Sequence, residues 1–499
     1  MLEVSDPAGF LEDAAHYPGG HASGVVRPRS AEEISAILRS PGRLLPVGAQ
    51  SSLTGGATPF GDLVLSTERL NTLSITGDRA RAGAGVPLQI LQDELSKSGR
   101  WFPPVPTYLG AFAGGAVATC AAGAATFKYG TVREWVDGLT IVLAGGEVLT
   151  LTRGERFAAR DGTLQVGTRT IRIPPLKMPD VPKHSAGYFL KPGMDLVDLF
   201  IGSEGTLGVI ADVVFRTAPL PAAPCRALVP VPTEESAIAL AGELRAAAPR
   251  QIDVAAIEHI DARSIAVIRE DGVDRKLDIT LPSGASVVLL IDLELPADDG
   301  TLWSQLESAR ESSDDTPLLR FCRLLDRYGV LDDTEIALPW NRARAAAFAE
   351  LREAVPAGVN RRVAQAKQRD ARISKTAADM IVPFERFAGM MAACRRIFAA
   401  RDLDLAVWGH ISDGNVHPNV IPRTLADVER GRDAILELGA AIIAMGGCPL
   451  AEHGVGRNAI KQQLLRQLYG DDGIQAMRAI KLSLDPNGSL ASGVIFPTQ

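Results

Sequence analysis

The sequence predicts an α+β protein built from two domains, and three observations lead to this prediction. The chain has 499 residues, more than a single hydrophobic core usually holds. Residues 23–218 are rich in glycine and contain many short runs typical of strands. After the proline-rich sequence APLPAAP at 218–224, longer helical stretches alternate with apolar strand-like runs, so a domain boundary is expected near residue 220.

The glycine-rich part is predicted to be a region of short strands and turns with a few helices. One helix, AEEISAILRS, follows the first strand, and another, PLQILQDELSKSG, follows the fourth. Turn residues separate the strand-like runs, which is typical of an α+β region. The runs are, in order, GVVRP, RLLPVG, DLVLST, RARAGAG, GLTIVLAGGEVLTL and GVIADVVFRTAP.

The second part of the chain is predicted to be a sheet covered by helices. The helical stretches TEESAIALAGELRAAA, ARAAAFAELREAV and DVERGRDAILELGAAIIAM alternate with the strands SVVLLIDLEL and LDLAVWGHI. From Arg457 onward the sequence predicts mostly one amphipathic helix, which ends at LDPNGSLASGVIF.

Composition excludes several classes of protein. With 46% hydrophobic and 22% charged residues the chain is globular, and a net charge of −7 argues against nucleic-acid binding. The five cysteines form no C-x-x-C pair, so we expect neither an iron–sulfur cluster nor a disulfide framework. The sequence shows no signal peptide and no transmembrane segment. We therefore expect a cytoplasmic protein, with peripheral attachment to the inner membrane left open.

Two glycine-rich segments indicate a large bound ligand. The first, PVGAQSSLTGGATP at 46–59, could direct backbone N–H groups and hydroxyls at an anion. The second, at 103–130, carries small side chains over a length that suits close approach of a flat, bulky molecule. Neither matches G-x-G-x-x-G between a strand and a helix, so a Rossmann site is excluded. Tight turns and close packing are the alternative explanation for each segment alone.

Taken in order, these motifs resemble the FAD-linked oxidase family, the vanillyl-alcohol-oxidase/PCMH-type flavoproteins. The motifs are GVVRPRSAEEISAIL, SSLTGGATP, AGAGVPLQILQDELSKSGRWFPP, KYGTVREWVDGL, DLFIGSEGTLGVI and the C-terminal HGVGR and DPNGSLASGVIF. Within the family the chain is most similar to D-lactate dehydrogenases, glycolate oxidase FAD subunits and D-2-hydroxyglutarate dehydrogenases. The resemblance implies a PCMH-type FAD-binding domain at 1–220, an α+β cap domain for substrate at 221–456, and a C-terminal segment at 457–499 that returns to the first domain.

The resemblance also implies which residues bind FAD. The first loop would hold the pyrophosphate, and the segment from 104 to 130 would line the adenosine and ribityl path. Where relatives read R-G-G-G-T-S, this chain reads VGAQSS, which lacks the arginine and keeps one glycine of three. No histidine stands in the loop, so we expect non-covalent FAD. The segment 153–179 is longer than the family suggests and is interpreted as a hairpin insertion. The implied FAD contacts are Pro46, Gly48, Ala49, Gln50, Ser51, Ser52, Thr54, Gly55, Pro104, Thr107, Gly114, Gly115, Ala118, Gly123, Tyr129, Gly130, Glu204, Gly205, Gly208, Ile210 and Asn487.

The sequence GHISDGNVHPN suggests a metal site. His410 and His417 flank a polar turn between two predicted strands, and a hairpin could bring both imidazoles to one side of its mouth. Two structural histidines are the alternative on spacing alone. Two histidines and a carboxylate such as Glu452 would suit Zn, Mn or Fe(II). The resemblance implies that His410, His417 and Glu452 bind a divalent metal, Zn or Mn, with Asn419 as a polar neighbour on the substrate side.

Three further residues would complete the chemistry of hydroxy-acid oxidation. His453, beside Glu452, is the candidate base, with packing beside the metal as the alternative. ELREAV resembles the family's W-x-L-R-E element, so Arg352 would hold the substrate carboxylate. Lys375 precedes AADMIVP, which resembles the K-x-D-x-S-x-P segment with a slip of two residues. Pro356 stands where D-2-hydroxyglutarate enzymes carry a threonine, which argues against a five-carbon diacid.

The resemblance therefore implies an FAD- and metal-dependent dehydrogenase of a small D-2-hydroxy acid, of D-lactate or glycolate type. The alternatives are an alcohol oxidase of the same fold without metal, and an FAD subunit of a glycolate oxidase complex. Electrons would leave to an external acceptor: a quinone, a cytochrome, an iron–sulfur subunit or an electron-transferring flavoprotein. Nucleic acid is not expected as a partner, and a homodimer stays open.

Overall fold

The structure is a computed structural model that describes residues 4–104, 106–298 and 300–498. The chain divides into two compact units. Unit 1 comprises Met1–Gly123, Gly130–Leu220 and Cys448–Gln499, and unit 2 comprises Ala124–Tyr129 and Pro221–Gly447. In the part of the chain that is described, no helix is both long enough and apolar enough for a bilayer.

Strands and helices are interspersed along the described residues. The strands are β1 (His21–Val26), β2 (Leu44–Val47), β3 (Phe60–Ser66), β4 (Leu73–Thr76), β5 (Arg79–Gly83), β6 (Arg100–Trp101), β7 (Val136–Val142), β8 (Val148–Thr152), β9 (Thr163–Val166), β10 (Arg169–Arg172), β11 (Val209–Arg216), β12 (Ala218–Pro219), β13 (Ala223–Val231), β14 (Val254–Asp261), β15 (Val287–Leu295), β16 (Glu335–Ala337), β17 (Thr376–Ala377), β18 (Met380–Ile381), β19 (Leu405–His410) and β20 (Asn415–Val420).

The α-helices are α1 (Ala31–Leu38), α2 (Leu88–Ser96), α3 (Ala113–Ala118), α4 (Thr126–Tyr129), α5 (Val132–Trp135), α6 (Leu196–Phe200), α7 (Glu234–Ala247), α8 (Ala262–Glu270), α9 (Val273–Lys276), α10 (Leu302–Glu307), α11 (Pro317–Arg327), α12 (Arg342–Arg369), α13 (Phe387–Ala399), α14 (Leu425–Ala444) and α15 (Ala459–Leu484). Short 3₁₀ turns occur at Ala8–Phe10, Phe384–Arg386 and Ile411–Asp413.

Unit 1 contains two main sheets. The first is parallel, with strand order β1-β3-β2, and α1 connects its outer strands. Ser30 begins α1, because its hydroxyl accepts a hydrogen bond from the backbone N–H of Glu33. The second sheet is antiparallel, with order β4-β5-β11-β7-β8. Residues of β8 alternate between exposed and buried, as expected for an antiparallel strand with one face in water.

Between β8 and α6 the structure contains a separate two-stranded sheet. Strands β9 and β10 pair in antiparallel register from Thr163↔Arg172 to Val166↔Arg169. This pair lies within the segment 153–179, where the sequence predicted an inserted hairpin. The hairpin is therefore present in the expected place.

The C-terminal segment belongs to unit 1. Its chain runs beside β2, since Ala491 donates its N–H to the carbonyl of Leu44 at 2.8 Å and Leu44 donates to Ser489 at 2.8 Å. Helix α15 is not the single regular helix that the sequence predicted. Gly470 has φ 68° and ψ 177°, so two helical pieces meet there. Glycine adopts this backbone conformation without the steric cost that a side chain brings.

Unit 2 is built on one large sheet with helices packed against it. Its strand order is β16-β13-β15-β14-β19-β20-β17, and β18 also pairs with β20. Every residue of β14 is buried, as expected for a strand covered on both faces. Ile260 packs in the core cluster with α8 and α12, whereas the neighbouring His259 faces Phe387 of α13, with ring centroids 6.2 Å apart.

Candidate active site

The first glycine-rich loop connects β2 to β3 in unit 1. Ser52 orders the loop from within, because its hydroxyl accepts hydrogen bonds from the N–H groups of Thr54 and Gly56, each at 3.3 Å. Gln50 has a left-handed backbone, φ 54°, and its side-chain amide donates to the carbonyl of Glu12 at 2.8 Å. The loop that replaces R-G-G-G-T-S is thus held by local side-chain bonds, and the N-terminal segment supports it.

The second segment contains two adjacent glycines that differ in their surroundings. A Cβ added to Gly114 would lie 2.6 Å from the Cβ of Ala84, so this glycine is required for close packing. A Cβ added to Gly115 meets no heavy atom of the described residues within 4 Å. Packing therefore explains Gly114, whereas Gly115 has open space beside it that a ligand could use.

Glu204 links three segments of unit 1. Its N–H donates to the carbonyl of Ala118 at 2.8 Å, and its carboxylate accepts from the N–H groups of Val455 and Gly456, each at 2.8 Å. Burial raises the pKa of Glu204 to about 7, although these two backbone bonds lower it. Glu204 thus ties its own turn, residues 203–205 (the SEG turn), to α3 and to the segment that follows His453.

The other predicted FAD contacts fall into different environments. Packing explains Gly208, because a Cβ there would lie 2.7 Å from Ile141. Asn487 is exposed in the turn after α15. Tyr129 belongs to unit 2, where its hydroxyl donates to Glu294 at 2.7 Å. Lys128, beside it, pairs with Asp253 at 2.8 Å. The last two contacts hold α4 against the strands of unit 2.

A hairpin in unit 2 brings two of the predicted metal ligands together. Strands β19 and β20 pair in antiparallel register, with Trp408 opposite His417. The rings of His410 and His417 lie 5.5 Å apart between centroids, at 87° to one another, and both residues are buried. Gly414 makes the turn, with φ 80°, and a Cβ there would lie 2.2 Å from the carbonyl oxygen of Val382. The hairpin predicted from GHISDGNVHPN is observed.

His410 is held by a buried network of charges. Glu258 lies opposite His410 in the β14–β19 register, and a carboxylate oxygen of Glu258 contacts Nδ1 of His410. The other carboxylate oxygen accepts from Nε of Arg352 at 2.8 Å. Burial raises the pKa of Glu258, but the charges of His410 and Arg352 outweigh it and lower this pKa to about 2. Arg352 also pairs with Glu353 at 2.7 Å.

His417 also has a carboxylate beside its ring. Its Nδ1 lies 3.3 Å from Oδ1 of Asp379, and Asp379 accepts a bond from the amide of Asn415 at 3.2 Å. Asn419, which is 2% exposed, donates to the backbone carbonyl of His417 at 2.9 Å. Carboxylates beside Nδ1 are typical of metal-ligating histidines, whose Nε2 then coordinates the ion. This set of donors fits a divalent metal.

Glu452 and His453 belong to unit 1. The ammonium of Lys183, whose side chain is 0% exposed, donates to Glu452. Nε2 of His453 lies 4.0 Å from the other oxygen of that carboxylate. Ser185 supports the same segment, because its hydroxyl accepts from the N–H of Gly454 at 3.1 Å. The lysine that pairs with Glu452 was not predicted from the sequence.

The remaining predicted residue, Lys375, is exposed and directly precedes β17 in unit 2. Ala377 of that strand is paired with Asn419 of β20. Glu258 was not predicted from the sequence, although the strand that contains it carried a signal. A glutamate and a histidine interrupt the apolar strand VAAIEHID, and buried charges of this kind usually have a specific partner.

Comparisons with known proteins match nearly the whole chain. The family profile described as FAD linked oxidases, C-terminal domain, matches residues 220–495, and one described as FAD binding domain matches residues 22–152. Glycolate oxidase subunit GlcD of Bacillus subtilis is 27% identical over 99% of this chain and 96% of its own length. D-lactate dehydrogenase of Archaeoglobus fulgidus is 27% identical over 94% of this chain and 90% of its own.

One more relative and one solved structure are also similar to this chain. D-2-hydroxyglutarate dehydrogenase of Xanthomonas citri is 27% identical over 95% of this chain and 89% of its own length. Among solved structures, an alkyldihydroxyacetonephosphate synthase has a TM-score of 0.56 at 14% identity and covers 95% of this chain and 77% of its own. The latter similarity concerns the fold alone.

Proposed function

The chain belongs to the FAD-linked oxidases, a family of oxidoreductases, and we propose that it oxidises a D-2-hydroxy acid of D-lactate or glycolate type to the 2-oxo acid. The relatives named D-lactate dehydrogenase and glycolate oxidase subunit support this substrate class. The observation that carries the proposal is the buried pair His410 and His417, each with a carboxylate beside Nδ1, in a chain of a flavin-dependent family.

FAD and a divalent metal, Zn or Mn, are the proposed cofactors. His410, His417 and Glu452 would hold the metal, and the loop 46–56, α3 and the SEG turn would hold non-covalent FAD. When bound, FAD supplies the hydride acceptor at N5, and the metal supplies an electrophile that lowers the pKa of the substrate hydroxyl.

The protein's own side chains would position the substrate and move its proton. His453 would accept the proton of the hydroxyl group as general base. Arg352 would hold the carboxylate. Its Nε donates to Glu258 and its Nη1 donates to Glu353, which uses two of the five N–H donors of the guanidinium. Nη2 is therefore the group proposed to face the substrate. Asn419 and Lys375 would add polar contacts beside the substrate.

Two other functions fit the same fold, and the effects of a chelator and of a partner protein distinguish them. An alcohol oxidase without metal would keep its activity in a chelator. An FAD subunit of a glycolate oxidase complex is favoured by the similarity to GlcD, which extends over 99% of the chain. Such a subunit would oxidise its substrate only when its partner protein is bound. In every case reduced FAD would pass its electrons to an external acceptor, a quinone, cytochrome, iron–sulfur subunit or electron-transferring flavoprotein.

Turnover of the purified, FAD-loaded chain with an artificial dye tests the proposal. The panel comprises D- and L-lactate, glycolate, D-malate and D-2-hydroxyglutarate, each measured before and after EDTA and after addition of Zn²⁺ or Mn²⁺. We expect turnover of D-lactate or glycolate that EDTA abolishes and metal restores. Turnover indifferent to EDTA would favour the oxidase, and turnover only after addition of a partner protein would favour the subunit.

A further inference from the structure

We propose that Glu258 is a positioning residue that holds the proposed metal ligand His410 and the proposed substrate anchor Arg352 in one network. This inference rests on the proposed function, because it concerns residues of that same site. Its consequence is that one carboxylate sets both the tautomer of a metal ligand and the orientation of the group that binds the substrate.

Strand register places Glu258 where it can serve both residues. In the antiparallel pair β14–β19, Glu258 is directly opposite His410, so the two side chains project from the same face of the sheet. Helix α12 packs on that face through Phe348 and Leu351, and it brings Arg352 within reach. One carboxylate oxygen contacts Nδ1 of His410, and the other accepts from Nε of Arg352 at 2.8 Å.

The network is buried, so the stability of each charged group in it depends on the partners of that group. Glu258 is 5% exposed, and the side chains of Arg352 and His410 are 12% and 4% exposed. A buried carboxylate without partners would be strongly destabilising, whereas one that bridges a cation and an N–H donor is compensated. Glu258 therefore keeps its place only while both neighbours keep theirs.

The carboxylate dictates which nitrogen of His410 carries the proton. An ionised carboxylate only accepts hydrogen bonds, so the ring nitrogen facing it must be protonated. In neutral His410 the proton then sits on Nδ1, and the lone pair lies on Nε2, the atom that would coordinate a metal. Loss of the carboxylate would free the ring to adopt the opposite tautomer, in which Nε2 is protonated and binds a metal poorly.

A second carboxylate–arginine pair in unit 2 provides a matched control. Asp292 on β15 accepts from Nε and Nη2 of Arg226 at 2.6 and 2.8 Å, on the same sheet. Its strand is the direct neighbour of β14. Asp292→Asn therefore removes a comparable charge from the same sheet at a position to which we assign no role in the site.

The test compares Glu258→Gln with Asp292→Asn in the FAD-loaded chain. Zn²⁺ or Mn²⁺ is titrated into chelator-treated protein, and KM for the best hydroxy acid is measured at saturating metal. Glu258→Gln is expected to weaken metal binding roughly 10- to 100-fold and to raise KM, since losses of this size follow removal of a histidine's carboxylate partner. Asp292→Asn is expected to change neither quantity.

Tautomer measurement supplies a readout that does not depend on bound metal. Long-range ¹⁵N–¹H correlations of histidine-labelled, metal-free protein report which ring nitrogen is protonated, and His410→Asn identifies the signal. We expect Nδ1–H in the unchanged protein and a shift toward Nε2–H in Glu258→Gln. Circular dichroism establishes that both variants are folded.

Two results would overturn the inference. One is an Nε2–H tautomer for His410 in the unchanged protein, and the other is metal affinity and tautomer in Glu258→Gln equal to those of Asp292→Asn. If the unchanged protein binds no metal, the metal part of the proposed function fails, and the tautomer comparison alone decides the role of Glu258. The two failures are thus distinguishable.

Discussion

His259 is a buried histidine whose charge state should make stability depend on pH. The residue is 0% exposed, and neither ring nitrogen has a hydrogen-bond partner among the described residues. Burial, the largest cause, lowers its pKa from 6.5 to about 4; Glu234 and Glu258 raise it, and Arg395 lowers it further. The folded protein therefore keeps the ring neutral in a range where the unfolded chain protonates it.

The stabilisation that comes from keeping His259 neutral is fully present above pH 6.5 and is lost as the pH falls from 6.5 toward 4. The gap between the two pKa values corresponds to about 3 kcal/mol. His259→Leu should accordingly lose less unfolding free energy than the unchanged protein between pH 7 and 4 in urea titrations. His16→Leu, which removes an exposed imidazole beside Glu12, serves as the control for the loss of a histidine at the surface. Equal slopes for His259→Leu and the unchanged protein would contradict this account.

Some residues of the site can be predicted from sequence and others cannot. His410 and His417 stand close together in the chain and flank a turn with a required glycine, so local pattern was sufficient to pair them. Glu258 lies 152 residues before His410, and Asp379, which lies beside His417, directly precedes β18. Such partners are set by strand order in the sheet, which no local pattern specifies.

At the level of elements, the β19–β20 hairpin depends on Gly414. A Cβ at this position would lie 2.2 Å from the carbonyl oxygen of Val382, and the backbone φ is 80°. Gly446 has the same φ, but no heavy atom of the described residues lies within 4 Å of its Cβ position. Comparing alanine at the two sites therefore separates the clash from the backbone strain.

Gly446→Ala should lose about 1–2 kcal/mol from the left-handed backbone alone. Gly414→Ala should lose a further ~1–3 kcal/mol, because the added atom overpacks the turn. Urea unfolding measures both losses, and Gly414→Ala should also weaken metal binding by displacing the histidines. Equal destabilisation by the two substitutions would show that the turn can relax around the extra atom.

Helix α3 offers a second comparison, between neighbouring glycines. Gly115→Ala fills open space and should raise the stability of the FAD-free protein by up to ~1 kcal/mol through helix propensity, while weakening FAD binding. Gly114→Ala meets Ala84 at 2.6 Å and should destabilise the FAD-free protein. Unfolding of the apoprotein and FAD titration by flavin fluorescence measure the two effects. Unchanged FAD affinity in Gly115→Ala would remove this residue from the proposed cofactor site.

Sequence patterns predicted several elements well, and local backbone chemistry explains where they did not. The hairpin at β9–β10 and the strand pair around the two histidines are observed as expected. The final helix is interrupted at Gly470, whose backbone is not helical. The sequence did not predict this break, because the amphipathic periodicity continues across Gly470. The segment 124–129 packs with unit 2, although it lies within a glycine-rich run that continues on both sides in unit 1.

At the scale of the whole molecule, the order of motifs carried the prediction. The predicted family and fold class, a PCMH-type FAD-binding domain with an FAD-linked oxidase C-terminal domain, are confirmed by the two family matches. Motif order along 499 residues is informative, because several motifs in one order match by chance far less often than any one of them alone. Under the proposed function, the choice of hydroxy acid would depend on a few side chains of unit 2, and sequence pattern constrains these only weakly.

The proposed function requires that a 2-hydroxy acid reduce the flavin with the help of a metal held by His410, His417 and Glu452. The most direct measurement is anaerobic bleaching of the flavin absorbance by D-lactate and glycolate, before and after EDTA and with Zn²⁺ or Mn²⁺ added back. We expect bleaching that EDTA abolishes and metal restores. Bleaching that is indifferent to EDTA, or no bleaching by either acid while FAD is bound, would contradict it.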